Sequence, residues 1–471
     1  MQAAGRSGRS RTVAVVGGGI AGLAAALEVS RLEPAARVVV LESAARLGGK
    51  VAVSEVGGLP VDEGADAMLA RVPDGVALAQ DAGLGEELVS PAAGQASLWT
   101  RGRLRPLPSG TVMGVPGDLA ALARSGVLSA PGLVRVLQDL VRPGRPTADD
   151  VAVGDLVGRR LGREVVDRLV DPLLGGVYAG RADRLSLYAT LPQLAGPAGR
   201  ERSLLLAARS SRSSAVPYTG PVFRGLPGGL GRLPAAVAAT SGAEVRLGTV
   251  VRELARTPDG WRLELGSRAA PERLDADAVV LAVPAAPAAR LLGRLLPAAA
   301  AELGALEYAS VGLVTLVLDG PPPGAGSGYL VPAVEGRTTK AVTFTSRKWA
   351  HYPDDVAVVR ASIGRHGEAA DLQRDDAELV AVVLAELGEA VGPVGQVRDT
   401  RVVRWGGGLP QYAVGHLDRV RRVRAAVAGL SGLAVAGAAY DGVGVPACAR
   451  SGREAARTVL AAEWAHDRHP A

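Results

Sequence analysis

The stretch RTVAVVGGGIAGLAAALEVSRL, residues 11–32, runs an apolar strand pattern straight into glycines and then into an alanine-rich helix. Gly17, Gly19 and Gly22 fit G-x-G-x-x-G in the strand–turn–helix setting that a dinucleotide site needs, and Gly18, Ile20 and Ala21 complete the loop. The first glycine permits the tight turn, the second lets the backbone approach a pyrophosphate, and the third lets helix and strand pack closely. Free N–H groups and the positive end of the helix dipole then face the phosphates. The next strand pattern, RVVVLES, ends in Glu42 and Ser43. A carboxylate there suits the two hydroxyls of an adenosine ribose and disfavours a 2′-phosphate, which argues against NADP.

A second glycine-rich turn lies near the other end of the chain, in VAGAAYDGVGVPACARSGREAARTVL, residues 435–460. Its pattern predicts strand, glycine loop and helix. Gly442 and Gly444 leave no side chain between the loop and an incoming planar ring, and Pro446 suits a first helical turn because its missing N–H is not needed there. A helix starting across Val443, Gly444, Val445 and Pro446 would aim N–H groups and the positive end of its dipole at an edge of that ring where negative charge gathers.

The elements that must hold these turns belong to a large folded protein. The chain has 471 residues, 48% of them hydrophobic, and a mean hydropathy of +0.19, which excludes a disordered chain. Its net charge is +6, carried almost wholly by arginine, since Lys50, Lys340 and Lys348 are the only lysines. No long basic run stands out, so the balance suits a small polyanionic substrate or an anionic membrane surface better than nucleic acid. A single cysteine excludes an internal disulfide framework and agrees with a reducing cytoplasm. The glycine-interrupted apolar start is too short for a membrane span, and no convincing cleavage site follows it. His351, His366 and His416 are far apart, and Cys448 alone cannot make a zinc site, so no metal is expected.

After Glu42 the sequence continues SAARLGGKV, giving E-x-x-x-R-x-G-G with Arg46, Gly48 and Gly49. This extension resembles the FAD-containing oxidases of the amine oxidase and protoporphyrinogen oxidase superfamily. VDPLLGGVYAGRADRLSLYATLPQL (170–194), DEGADAMLARVPD (62–74) and RWGGGLPQYAVGHLDRV (404–420) narrow the resemblance to protoporphyrinogen/coproporphyrinogen oxidases over nearly the whole chain. It implies an α/β protein with a discontinuous Rossmann-like FAD-binding domain (1–70, 216–288, 425–471), a mixed-sheet substrate domain (71–90, 200–215, 289–424) and a helical insertion (91–199). By position it assigns FAD contacts to Gly17–Gly22, Glu42, Ser43, Arg46, Gly48, Gly49, Gly64, Ala65, Asp66, Ala67, Val250, Trp405 and Val443–Pro446. Relatives often carry an aromatic where Met68 stands and an acid where Ala447 stands.

The implied reaction is oxidation of coproporphyrinogen III to coproporphyrin III by FAD, with molecular oxygen as acceptor and hydrogen peroxide as product. Protoporphyrinogen IX, another amine oxidase or desaturase reaction, or a redox-inactive nucleotide-binding module are the alternatives. Aromatisation drives such an oxidation, so placing a bridging carbon against the flavin matters more than a general base, and no catalytic residue is assigned. Arginines should grip the propionates, with Arg71 the first candidate, while Tyr178 and Tyr412 are candidates to line the tetrapyrrole cavity. The resemblance also implies contact with the next enzyme of haem synthesis. The insertion segment LARSGVLSAPGLVRVLQDLVR (122–142) mixes an apolar face with arginines and could touch a membrane surface from the cytoplasmic side.

Overall fold

The computed structural model describes residues 10–142, 144, 149–213, 218–267 and 269–467. Its first layer is a five-stranded parallel sheet in the order Glu244–Arg246, Arg37–Leu41, Thr12–Val16, Ala278–Leu281, Leu433–Val435. Apart from the edge strand Glu244–Arg246, these strands are short, apolar and almost wholly buried, as parallel strands covered by helices must be. The register aligns Val16 with Leu41 and Leu281, and Leu281 with Val435. The carboxyl ends of strands from the start, middle and end of the chain therefore lie level, where open parallel sheets hold ligands.

The first helix, Ile20–Leu32, is buried from Ile20 to Val29, which explains why its sequence is apolar all round. The last helix, Val445–Asp467, crosses it at backbone contact: a Cβ on Gly452 would stand 2.0 Å from the Ala21 carbonyl oxygen. Arg457 pairs with Glu28 across the two helices at 2.7 Å.

A second, seven-stranded sheet carries the long strands Tyr308–Asp319, Val356–Ile363 and Val397–Pro410. Period-two alternation gives it two different faces. Val314, Leu316, Val359 and Ala361 pack under Leu379, Val383 and Leu387 of the helix Asp376–Val391. On the opposite face Val317, Val356 and Val358 pack with Val56, Val61 and Trp349, so this face meets the segment leading into residues 62–67.

Residues 96–106, expected in the helical insertion, instead form the hairpin Ala96–Thr100 and Arg103–Pro106 at one edge of this sheet. The reason is the two-residue turn Arg101-Gly102, with φ of 56° and 74°, which matches the twist of a tight hairpin. The helices follow from Leu119 onward. Leu204–Ser213, expected with the substrate domain, packs Leu204, Leu205, Ala207 and Ala208 into the insertion's core. Segment 122–142 divides into two helices at Gly126, and the second, Ala130–Val141, leaves Val134, Leu137, Leu140 and Val141 exposed. Among the described residues no helix is long and apolar enough to cross a membrane.

Candidate cofactor and substrate site

The glycines after the first strand divide into two kinds. Gly17 (φ +108°) is pressed against the Ala282 carbonyl, 2.5 Å from where its Cβ would be, and a Cβ on Gly22 would fall 1.9 Å from the Gly17 carbonyl oxygen. Gly18 is enclosed by Leu47 and Glu42. These three are needed for the chain to close on itself. Gly19 is different: a Cβ there would meet nothing within 4 Å. It stands at the N-cap of the first helix without a side-chain cap, so the orphan N–H groups of the first turn open outward. Ile20 and Ala21 turn their side chains into the core and contribute only backbone to this opening.

Glu42 closes one end of the groove. One carboxylate oxygen accepts the Gly18 N–H at 2.7 Å; the other accepts the Ala44 N–H at 2.7 Å and the Ser43 hydroxyl at 3.2 Å. Carboxylate oxygens have further acceptor capacity for ribose hydroxyls. Alongside runs segment 248–250, with Thr249 N–H donating to the Glu42 carbonyl and Gly248 N–H to that of Ala44. Val250 thus stands exposed beside Glu42, its carbonyl taken by the Gly266 N–H.

The Arg46 loop folds back onto the glycine turn. Gly48 N–H donates to the Gly18 carbonyl at 2.8 Å, and a Cβ on Gly49 would meet only the Gly19 Cα, at 3.7 Å. The bare faces of Gly19 and Gly49 therefore adjoin. Arg46 donates to the carbonyls of Leu47 and Gly49 and lies 5.8 Å from the Trp405 ring.

The C-terminal turn arrives at the same place. Val445 is buried with Ile20, Leu23 and Met68, and a Cβ on Gly437 would lie 3.9 Å from Ala21. Gly437, Gly442 and Gly444 have φ of 118°, 130° and 99°, where only glycine is comfortable. A Cβ on Gly444 would just reach Pro446, at 4.0 Å, so this position is open as Gly19 is. Asp441 pins the loop by accepting from Ser451 at 2.8 Å and from Arg424. Met68 packs beneath the groove instead of lining it, fully buried. Ala447 has no acceptor to cap the last helix, and Gly444 caps it through its carbonyl, bonded by Cys448 N–H at 3.1 Å.

The segment 63–67 enters from the side of the seven-stranded sheet. A Cβ on Gly64 would strike the Lys50 carbonyl at 1.9 Å. The Trp405 indole N–H donates to the Glu63 carbonyl at 2.7 Å, Arg360 donates to the Gly64 carbonyl at 2.6 Å, and Lys348 Nζ pairs with Asp66 at 2.8 Å. Burial alone raises the Asp66 carboxyl, but Lys348 and Arg360 outweigh it and hold the group at about 2. Ala65 N–H faces the Lys50 carbonyl, and Ala67 packs with the Trp349 cluster. Nearby, burial pushes Asp62 up to about 6, against the pull of Arg360.

Sequence reasoning overlooked Lys348 and Arg360 as partners of this loop. The available signal was an arginine inside the apolar strand VAVVRASI, which stays charged when buried and so needs acceptors.

Of the substrate candidates, Tyr178 and Tyr412 are neighbours, with ring centroids 5.5 Å apart. Burial raises both hydroxyls, that of Tyr178 to about 12. Tyr412 is only 2% exposed, stacks on His416 at 4.0 Å, and donates to the Ala438 carbonyl at 2.5 Å. It is a support beneath the C-terminal loop, enclosed because its polar end already has a partner, and not a wall of an open cavity. Tyr178 is buried in the insertion core, against which Val443 packs. Arg71 is exposed, just beyond the short strand Met68–Leu69. Contacts thus link residues 17–22, 42–49, 63–67, 250, 405 and 443–446, with Tyr178 and Tyr412 beyond Val443 and Arg71 exposed after Met68–Leu69.

Comparison with known proteins agrees with this geometry. The family model described as flavin containing amine oxidoreductase matches residues 20–460. The chain is 33% identical to coproporphyrinogen III oxidase of Bacillus subtilis (strain 168), covering 95% of this chain and 97% of that protein. It is 37% identical to coproporphyrinogen III oxidase of Mycobacterium tuberculosis (strain ATCC 25618 / H37Rv), covering 96% and 98%. A solved structure from Exiguobacterium sp. 255-15, provisionally named protoporphyrinogen oxidase, superposes with a TM-score of 0.85 at 34% identity, covering 96% of this chain and 99% of that one.

Proposed function

Because this chain belongs to the flavin containing amine oxidoreductase family, we propose that it uses FAD to oxidise coproporphyrinogen III to coproporphyrin III in haem biosynthesis. The observation that carries the reading is near-complete, end-to-end similarity to relatives bearing that name. Room for the cofactor supports it: a Cβ at Gly19, Gly49 or Gly444 would meet no protein atom closer than 3.7 Å.

In this reading Glu42 and Ser43 hold the adenosine ribose and Val250 covers the adenine. The first turn of the Ile20–Leu32 helix, with Arg46 swung from its loop carbonyls, meets the pyrophosphate. The chemistry that bound FAD would supply is two-electron acceptance, one hydride per step, passed on with a proton to oxygen as hydrogen peroxide. The Val445–Asp467 helix directs its N-terminal N–H groups toward the ring edge where negative charge collects, which favours that acceptance. Gly442 and Gly444 would leave the loop bare of side chains for the ring, and Trp405 with the 63–67 segment would help to hold it. Arg71 reaches for a propionate, and Tyr178 lends apolar surface to the macrocycle. Tyr412 acts indirectly, by holding Ala438 and hence the loop.

Neither lysine offered by the substrate sheet suits amine oxidation. Lys340 Nζ is buried against the Gly364 carbonyl at 2.8 Å, and Lys348 is committed to Asp66. Protoporphyrinogen IX is the second reading, favoured by the name of the Exiguobacterium structure. The test is aerobic turnover of both porphyrinogens side by side by the flavin-loaded protein, read as porphyrin fluorescence. Faster oxidation of coproporphyrinogen III supports the proposal, a preference for protoporphyrinogen IX supports the second reading, and failure on both overturns each.

A further inference from the structure

The 63–67 segment is held in place by a cluster of largely buried charges. Asp66 lies between two cations carried by separate elements. Lys348 ends the short helix Thr345–Lys348, and Arg360 projects from the strand Val356–Ile363. The Lys348 and Asp66 side chains are 15% and 20% exposed, and that of Arg360 is 6% exposed. Arg360 lies 3.7 Å from Asp66 and spends another N–H on the Gly64 carbonyl. Lys348 Nζ is steadied by the Trp349 ring at 5.0 Å. Gly64 has no slack to absorb a shift, because Lys50 already stands against it. Loss of Lys348 would leave Asp66 only the longer contact to Arg360, and loss of Asp66 would leave two cations side by side without their carboxylate, the costlier case.

We propose that Lys348 is a positioning residue for FAD, acting through Asp66 and together with Arg360 to clamp the flavin-facing segment Glu63–Ala67 to the substrate sheet. The inference rests on the FAD reading but not on which porphyrinogen is oxidised. It makes cofactor affinity depend on a domain that supplies none of the phosphate or ribose contacts.

The test is a double-mutant cycle on the full chain, with the FAD dissociation constant measured by recovery of free-flavin fluorescence. Lys348→Met and Asp66→Asn are each expected to weaken FAD by about tenfold, and the double variant by no more than either single, because contacting residues couple. Lys348→Arg should recover most of the affinity, and the bound flavin's visible absorption should shift in both single variants. If Lys348→Met does not yield folded protein, Lys348→Gln completes the same cycle. Unchanged FAD affinity with a lower apoprotein Tm would reduce Lys348 to a structural residue and overturn the proposal. Additive losses in the double variant would overturn it too. A wild-type chain that binds no FAD would instead overturn the cofactor reading itself.

Discussion

The two halves of the groove are built from different materials. The nucleotide half uses backbone: Gly17, Gly19, Gly22, Gly48, Gly442 and Gly444, with two helix starts, and Glu42 as its principal side chain. The half toward the seven-stranded sheet uses side chains, namely Arg360, which is buried, and Asp66, Lys348 and Trp405, which are half-buried, with Tyr412 and Asp441 bracing the loop where the halves meet. At Gly17, Gly22 and Gly48 the crowding atom is a carbonyl oxygen and no added atom fits, whereas Gly19 and Gly444 are open toward the site. Side-chain sites tolerate isosteric change but respond to charge.

The sharpest way to break that contrast is within the glycines themselves. Gly22→Val should leave no folded protein, since its Cβ would fall 1.9 Å from the Gly17 carbonyl. Gly19→Val should fold, because its Cβ direction is open, yet retain little FAD. Circular dichroism and flavin occupancy separate the two outcomes. If both variants fold and bind equally, the division into packing and cofactor glycines is wrong.

On the charged side, Asp62 offers a pH test. Its folded value of about 6 lies above the ordinary 3.8, so the native state keeps a proton that the unfolded chain has released. The favourable contribution is complete below pH 4 and is lost as pH rises through about 6. Asp62→Asn should flatten this loss, worth about 2–3 kcal/mol, in urea melts across that range. A slope unchanged by the substitution would place the titration elsewhere.

Smaller effects follow at the two polar ends of the groove. Glu42→Gln keeps the shape but weakens the ribose acceptor, and FAD affinity should fall by about tenfold, or 1.4 kcal/mol. Tyr412→Phe removes the bond to Ala438 and should lower stability by about 1 kcal/mol with only a minor fall in turnover. A collapse of turnover with unchanged stability would instead make Tyr412 a direct substrate contact.

This difference in materials also explains what could be read from the sequence. Glycine spacing is local, so the strand–turn–helix around Gly17–Gly22 and the later turn at Gly442–Pro446 are legible, and the parallel sheet of the fold brings them together. Asp66 and Lys348 are 282 positions apart, and no local period links them; only the fold creates the pair. The hairpin at residues 96–106 was absorbed into the helical insertion because its turn, Arg101-Gly102, carries a non-glycine residue at positive φ. Tyr412 was legible as special through its motif, but its enclosure depended on a loop that begins near Ala438, far along the chain.

The central claim is that the two ends of the chain grip one FAD. The direct measurement is a crystal structure of the protein with FAD bound. Adenine beside Val250, ribose on Glu42 and the isoalloxazine ring over Gly444–Pro446 is the predicted result. A ring lying away from the start of the last helix, or an adenosine remote from Glu42, would contradict the account.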